Sequence, residues 1–307
     1  MKLFEFNYLK NFRCIASECK HNCCIGWNIK VDKRTLNKYN ALKDKDARLK
    51  EKSFNNGLFR LDGSLRCPLL DSDNLCHVIK NYGDNYLSRT CATHPRFKSF
   101  FTGATFTGLG LYCEEACRII LSLKTKMKPV LVKDDKKVNA FTKHEKKVLA
   151  FTNKCVKIVQ DRKLDTSEKL SILSQMANVD LSKKSFNQWQ EIFCSLEKLK
   201  TNEFSFNSIK DANSFNGLVD GFSREYEQLL SYLCYRHLPR AIDGLDLRVR
   251  LAFILLSFNL INHLFSLTDR TFSSLVECCR FFSSEIETSD DNIFTLLNEI
   301  ESLISFI

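Results

Sequence analysis

The chain has 307 residues, 44% hydrophobic and 27% charged, enough for about two globular domains of roughly 150 residues each. Four Pro, ten Gly and 25 Phe exclude a linker-rich, collagen-like or disordered chain. A net charge of +10 favours an acidic partner or nucleic acid on its face.

MKLFEFNYLKNFRC carries scattered charge and no continuous apolar stretch, so no export signal is visible and a cytoplasmic protein is expected. A reducing compartment disfavours structural disulfides, so the 14 cysteines point to metal or reactivity. Nine of them lie within the first 117 residues. Residues 1–120 hold 20 Lys and Arg against 12 Asp and Glu, whereas residues 121–307 hold 26 against 24. The expected organisation is a cysteine-rich region over 1–124, a lysine-rich linker over 125–141 and a helical region over 142–307.

Within the first region, Asp32 can cap a helix running to about Leu49. Apolar segments at Leu58–Leu61 and Pro68–Leu70 flank Asp62-Gly63, a hairpin-turn signal. RFKSFFTGATFTGLGLY reads as a second hairpin, broken at Gly103, and YCEEACRIILSL as a helix with Cys113 and Cys117 on one face. Beyond the linker, apolar spacing of three and four predicts helices at about 142–160, 166–177, 185–200, 222–237, 241–266, 269–284 and 290–305. Pro239 and Gly244 separate two of them, and Ser289-Asp290-Asp291 offers caps for the last. LAFILLSFNLINHLFSL is interrupted by Asn259, Asn262 and His263, so it reads as a buried helix and no membrane partner is expected. The expected fold class is an α-rich α+β protein, with short β-hairpins in a metal-binding N-terminal region and helices after it.

The densest chemical signal is CIASECKHNCC, which places Cys14, Cys19, Cys23 and Cys24 within eleven residues. Four soft donors on a short loop suit zinc or an iron–sulfur cluster, and the spacing matches neither the paired knuckles of zinc ribbons nor ferredoxins. Further thiols stand in RCPLLD (Cys67), DNLCHVIKNYG (Cys76), LSRTCATHPRF (Cys91) and LYCEEACRIIL (Cys113). Cys155, Cys194, Cys234, Cys278 and Cys279 fall in helical patterns and read as small buried residues.

The order FRC…CCIGW, CPLLD, LC, GDNYLSRTCATHPR, LYCEEACRIIL resembles the flagellin lysine-N-methylase family, whose N-terminal part is similar to small cysteine-rich proteins described as zinc or iron chelators. The likeness covers residues 12–121 and, more weakly, EQLLSYLCYRHLPRAIDGLDLRVRLAFILLSF. It implies methyl transfer from S-adenosylmethionine to lysine ε-amines of flagellin, with a [4Fe-4S] cluster as cofactor and zinc as the alternative. Two motifs depart from the family: Cys91-Ala92-Thr93-His94-Pro95-Arg96 lacks the usual Arg after the cysteine, and Cys113-Glu114-Glu115 lacks the usual Pro. A closed site needs both the short loop and distant thiols, so Cys19, Cys23, Cys24 and Cys91 are the first choice as ligands and Cys14, Cys67, Cys76 and Cys113 the remaining pool. Arg89 and Arg96 flank Cys91 and are candidates to bind the donor's carboxylate.

A lysine amine with a pKa near 10.4 is nucleophilic in about one molecule in a few thousand at pH 7, a cost of roughly 4 to 5 kcal/mol. Desolvation or a nearby base must lower it, and Asp71, Asp73, Glu114 and Glu115 are candidates. The usual donor-binding strand, glycine-rich turn and acidic residue are missing, since GATFTGLG reads as a hairpin, so a Rossmann methyltransferase is not expected. The second reading is a non-enzymatic zinc- or iron-binding module docking nucleic acid or an acidic protein. Against it, the basic residues are spread along the chain and no nucleic-acid motif appears.

Overall fold

A computed structural model of the chain describes residues 1–27, 29–42, 46–49, 54–134, 139–198 and 214–304. The protein is α-rich α+β, as the sequence implies.

A mixed sheet gathers four segments that lie far apart in sequence: Lys2–Phe6 (β1), Arg96–Phe100 (β4), Ala104–Leu109 (β5) and Pro129–Asp134 (β6), in the order β4-β5-β1-β6. The strands β4 and β5 form the hairpin expected around Gly103, and β1 inserts parallel to β5 and antiparallel to β6. Residues 129–134, expected within a linker, are therefore a strand. PVLVKD has the β-branched content to extend once β1 offers an edge.

A second hairpin joins Phe54–Asn55 (β2) to Leu58–Phe59 (β3), and it corrects the turn expected at Asp62-Gly63. Asn56 and Gly57 sit at φ of 49° and 77°, the paired positive values that a two-residue hairpin turn requires. Asp62 instead accepts the backbone N–H groups of Ser64 and Arg66, at 2.8 and 3.0 Å, which curls the chain locally.

The first helix, Lys33–Ala41 (α1), is capped by Asp32 as expected but ends before Leu49, with Ala47–Leu49 a separate 3-10 turn and 43–45 outside the described residues. Short helices follow at His77–Tyr82 (α2), Arg89–Thr93 (α3) and Glu114–Leu121 (α4).

The helical region follows the predicted periodicity: Lys143–Val159 (α5), Thr166–Ala177 (α6), Phe186–Ser195 (α7), Ser223–His237 (α8), Gly244–Ser266 (α9), Phe272–Phe282 (α10) and Asp290–Glu301 (α11). Thr142, Asp165, Ser185 and Thr271 close capping boxes that fix the starts of α5, α6, α7 and α10. Helix α9 starts later than expected because Asp243 caps it, accepting Asp246 N–H at 2.7 Å. After α10 the chain continues as a π-helical turn, Ser283–Glu287, a form that concentrates at functional sites.

Apolar burial divides the molecule into two clusters. The larger joins the sheet to the helices, with α9 buried over most of its length, each enclosed Leu, Ile or Phe contributing about 1.5–3 kcal/mol. Phe6 packs on Tyr235 and Phe97 on Tyr232, ring centroids 4.7 and 6.1 Å apart, so the sheet lies against α8. The smaller surrounds Ile29, Val31, Tyr39, Phe59, Leu69 and Val78 and carries cysteines on its surface. Among the described residues no helix is long and apolar enough to cross a membrane.

Candidate thiol cluster and adjoining cleft

Three backbone pairings bring distant cysteines side by side. Cys67 N–H donates to Cys24 C=O at 2.8 Å, with Ile25 and Arg66 bridged beside them. Leu70 bridges Cys76, and His77 N–H donates to Leu69 C=O at 2.7 Å, which draws Cys76 alongside. Cys91 comes from α3, whose start is held by Ser88 on Cys91 N–H (3.2 Å), Asp32 on Arg89 N–H (2.9 Å) and Thr90 donating to Lys30 C=O (3.0 Å). Cys24, Cys67, Cys76 and Cys91 all pack on the smaller apolar cluster.

The thiols feel one another. Burial first, then the negative charges of Cys91, Cys76 and Cys23, push Cys67 up to about 12. Cys91 is pushed up to about 11 by burial, with Cys76 and Cys23 adding to it. Burial and Cys23 also raise Cys76. The Cys24 thiol donates to Cys23, which raises Cys24 strongly and holds Cys23 low, with His94 adding a second hydrogen bond to the Cys23 sulfur. Apart from Cys23, these thiols resist ionisation alone and would ionise around a cation, the behaviour of soft metal donors.

Cys19 lies to one side of this group. Its thiol donates to His21 C=O (3.3 Å) and Glu114 Oε2 (3.6 Å), and burial followed by the Glu114 charge pushes it up to about 12. The same Glu114 oxygen accepts Lys20 N–H (2.9 Å) and His21 N–H (3.4 Å), pinning the cysteine loop to the first turn of α4. Cys113, the residue before α4, is pushed up to about 12 by burial, with Cys19 and Cys23 contributing. Cys14 is exposed, its sulfur accepting Ala16 N–H at 3.4 Å. The structure thus groups Cys23, Cys24, Cys67, Cys76 and Cys91, sets Cys19 and Cys113 beside Cys23, and leaves Cys14 outside. Among the described residues no three His, Cys, Asp or Glu side chains converge tightly enough to enclose a single ion. The softness and mutual field of the donors fit a thiolate-bound centre; their spacing is not preset for one ion.

A cleft of about 1730 Å³ opens beside Cys23. Trp27, His94 and Tyr112 form an aromatic row along one wall, with ring centroids 6.3 and 5.4 Å apart. Arg236 of α8, Glu277 and Arg280 of α10, and Glu287 of the π turn also line the cleft. Burial opposes ionisation of Glu277, but hydrogen bonds from His21 and Arg280 win and hold its carboxyl at about 2.

At the cleft floor Glu287 is 4% exposed and accepts hydrogen bonds from Tyr232 Oη (2.8 Å), His237 Nε2 (2.7 Å) and Ser283 Oγ. Burial lowers the His237 pKa, and the hydrogen bond from His237 overcomes burial to keep Glu287 an anion. A neutral imidazole donating from Nε2 leaves Nδ1 as a bare acceptor, and that atom is buried without a partner.

Arg96 lines the cleft from β4, its guanidinium 5.6 Å from the Phe12 ring. Arg89 is exposed at the start of α3 and does not border the cleft. The sequence reading missed Arg236, whose guanidinium lies 4.5 Å from the Phe97 ring centre. Of the proposed bases, Asp71 accepts Leu75 N–H at 2.8 Å and Glu115 pairs with Arg118 at 2.6 Å, neither bordering the cleft, whereas Glu114 borders it and clamps the cysteine loop. Asp73 is an exposed loop residue whose N–H donates to Asp71 at 3.0 Å.

Comparison with known proteins finds relatives named as lysine-N-methylases and as a flagellar biosynthetic protein. Two lysine-N-methylases, from Salmonella typhimurium and Salmonella choleraesuis, are each 36% identical over 125 residues, covering 38% of this chain and 31% of theirs. The flagellar biosynthetic protein FliU of Salmonella muenchen is 36% identical over 125 residues, covering 38% of this chain and 74% of its own. The chain belongs to this lysine-N-methylase and FliU family, and its match spans about a third of the length of the two lysine-N-methylases. No family model matches the chain. No solved structure matches it.

Proposed function

We propose that this protein transfers a methyl group from S-adenosylmethionine to lysine ε-amines of flagellin, in the cleft beside the thiol cluster. The observation that carries the reading is the location of Cys23, from the cysteine segment on which the family resemblance rests, at the edge of a cleft large enough for a cofactor and a side chain. Seven carboxylates and seven Lys or Arg side chains line that cleft, so its charge is balanced despite the +10 chain. A polyanion finds no basic groove there, which favours this reading over a nucleic-acid module.

An iron–sulfur cluster would be held by thiols from the group Cys23, Cys24, Cys67, Cys76 and Cys91. When bound it would supply iron sites that draw the thiols together and a rigid anchor for the loop. The chain's own residues do the rest. Carboxylates such as Glu277, held ionised, attract the incoming lysine ammonium, and the aromatic row flanks its alkyl stem and the donor sulfonium. Because Glu277 is so weak a base, it holds the ammonium rather than taking its proton. Desolvation in the cleft lowers the amine pKa, and water filling the open end receives the proton.

The test is anaerobic purification, iron and acid-labile sulfide analysis, and incubation with S-adenosylmethionine and purified flagellin. Methylated lysines in flagellin peptides by mass spectrometry, on protein containing iron and sulfide, support the reading. Stoichiometric zinc with no donor binding and no modified lysine overturns it.

A further inference from the structure

We propose that Arg236 is the anchor for the carboxylate of the methyl donor's amino-acid end, a role that rests on the methyl-transfer reading above. Arg236 stands near the C-terminal end of α8 and borders the cleft. Its guanidinium lies over Phe97, 4.5 Å from the ring centre, and its Nε is buried with no hydrogen-bond partner.

Other arginines near this cleft are satisfied: Arg280 forks onto Glu277 at 2.6 Å and Arg240 reaches Asp290 at 3.1 Å. Arg236 has no such partner among the described residues. The nearby anion Glu287 attracts it through space, but that carboxylate already accepts from Tyr232, His237 and Ser283. A guanidinium carries five donors in one plane, and a ring against its face leaves the donor edge available. Mostly buried and unbonded, it loses free energy that a bidentate carboxylate ligand would restore.

The two expected ligands differ in what they offer. A lysine side chain brings only an ammonium, which a guanidinium repels. The donor brings a carboxylate, and its adenine has flat surfaces to meet in Trp27, His94 and Tyr112 of the same cleft. Arg96, one of the two sequence-based choices for this role beside Arg89, sits exposed over Phe12 and is already well solvated.

The experiment is calorimetric titration of the anaerobically purified full chain with S-adenosylmethionine and with its decarboxylated analogue, which keeps the adenosine and the sulfonium. Wild type should prefer the intact donor by about 10- to 100-fold, the scale of hydrogen bonds to a charged group. Arg236→Gln should bind both ligands equally, near the wild-type affinity for the analogue; that retained binding shows the cleft intact. Arg236→Lys should keep part of the preference. Equal binding of both ligands by wild type, or an undiminished preference in Arg236→Gln, overturns the assignment while leaving methyl transfer standing. Wild type that binds neither ligand overturns the methyl-transfer reading and this assignment with it.

Discussion

Glu277 reaches from α10 to His21 of the cysteine loop, Oε2 to Nε2 at 2.8 Å, and so ties the helical part of the molecule to the thiol cluster. The same carboxylate binds Arg280 on its own helix, which makes Glu277 the hinge pin of the contact.

That contact is pH-sensitive with a definite sign. Glu277 falls from an ordinary 4.5 to about 2 on folding, so its contribution is complete above pH 4.5 and disappears as the pH falls toward 2. Its upper bound is on the order of 3 kcal/mol. Thermal unfolding of wild type and Glu277→Gln between pH 6 and pH 2.5 should show the wild-type advantage shrinking across that range. A constant difference would remove the Glu277 assignment.

The neutral His237 and anionic Glu287 form a buried pair whose halves depend on each other. Removing a hydrogen-bond donor from a buried carboxylate costs about 1.5–3 kcal/mol. His237→Ala should therefore lower the urea midpoint substantially. Glu287→Gln keeps the shape and should cost less. Equal and small effects in both would mean that the carboxylate is uncharged in the folded state.

Gly108 faces the ring of Phe97. A Cβ there would stand 2.5 Å from Phe97 Cζ and 2.9 Å from Tyr8 Oη, closer than real contacts allow. Gly108→Ala should destabilise by about 1–3 kcal/mol as an overpacked core site. Because Phe97 carries the Arg236 guanidinium, weaker donor binding should accompany the lower melting temperature.

Metal removal should act locally. The backbone pairings of Cys24 with Cys67 and of Leu70 with Cys76 stand beside the thiols that would lose their common partner. Hydrogen exchange after chelation should speed at residues 22–26, 65–77 and 88–92 while amides of α8 and α9 stay protected. Uniform loss of protection would instead make the whole fold metal-dependent.

Helices α5, α6 and α8 were legible to within a residue or two because amphipathic spacing and local caps are encoded within each segment. Strands β1 and β6 were not: five and six residues long, they exist through pairing with partners about 100 to 130 positions away. The hairpin turn expected at Asp62-Gly63 forms instead at Asn56-Gly57, a pair of the same chemical kind. Tertiary contacts chose between them, since Val31 N–H donates to Gly57 C=O and Phe59 N–H to Ile29 C=O, fixing β3 against the smaller core. The cysteine-rich region announced itself by composition, but its partition depends on backbone pairings that spacing does not encode. Arg236 was invisible for a similar reason. A charged residue in a helical pattern reads as solvent-facing, and only the arrival of Phe97 from the β4–β5 hairpin encloses it.

The insertion of β1 between β5 and β6 also sets an order of events during synthesis. Its first neighbour, Ala104–Leu109, is made about a hundred residues after it, and its second, Pro129–Asp134, later still. Until ribosomal elongation passes residue 134, LFEF has no complete pair of edges to join, while the cysteine loop that follows it has already emerged. The cysteine loop therefore spends part of synthesis attached to a strand that has not yet been locked in place.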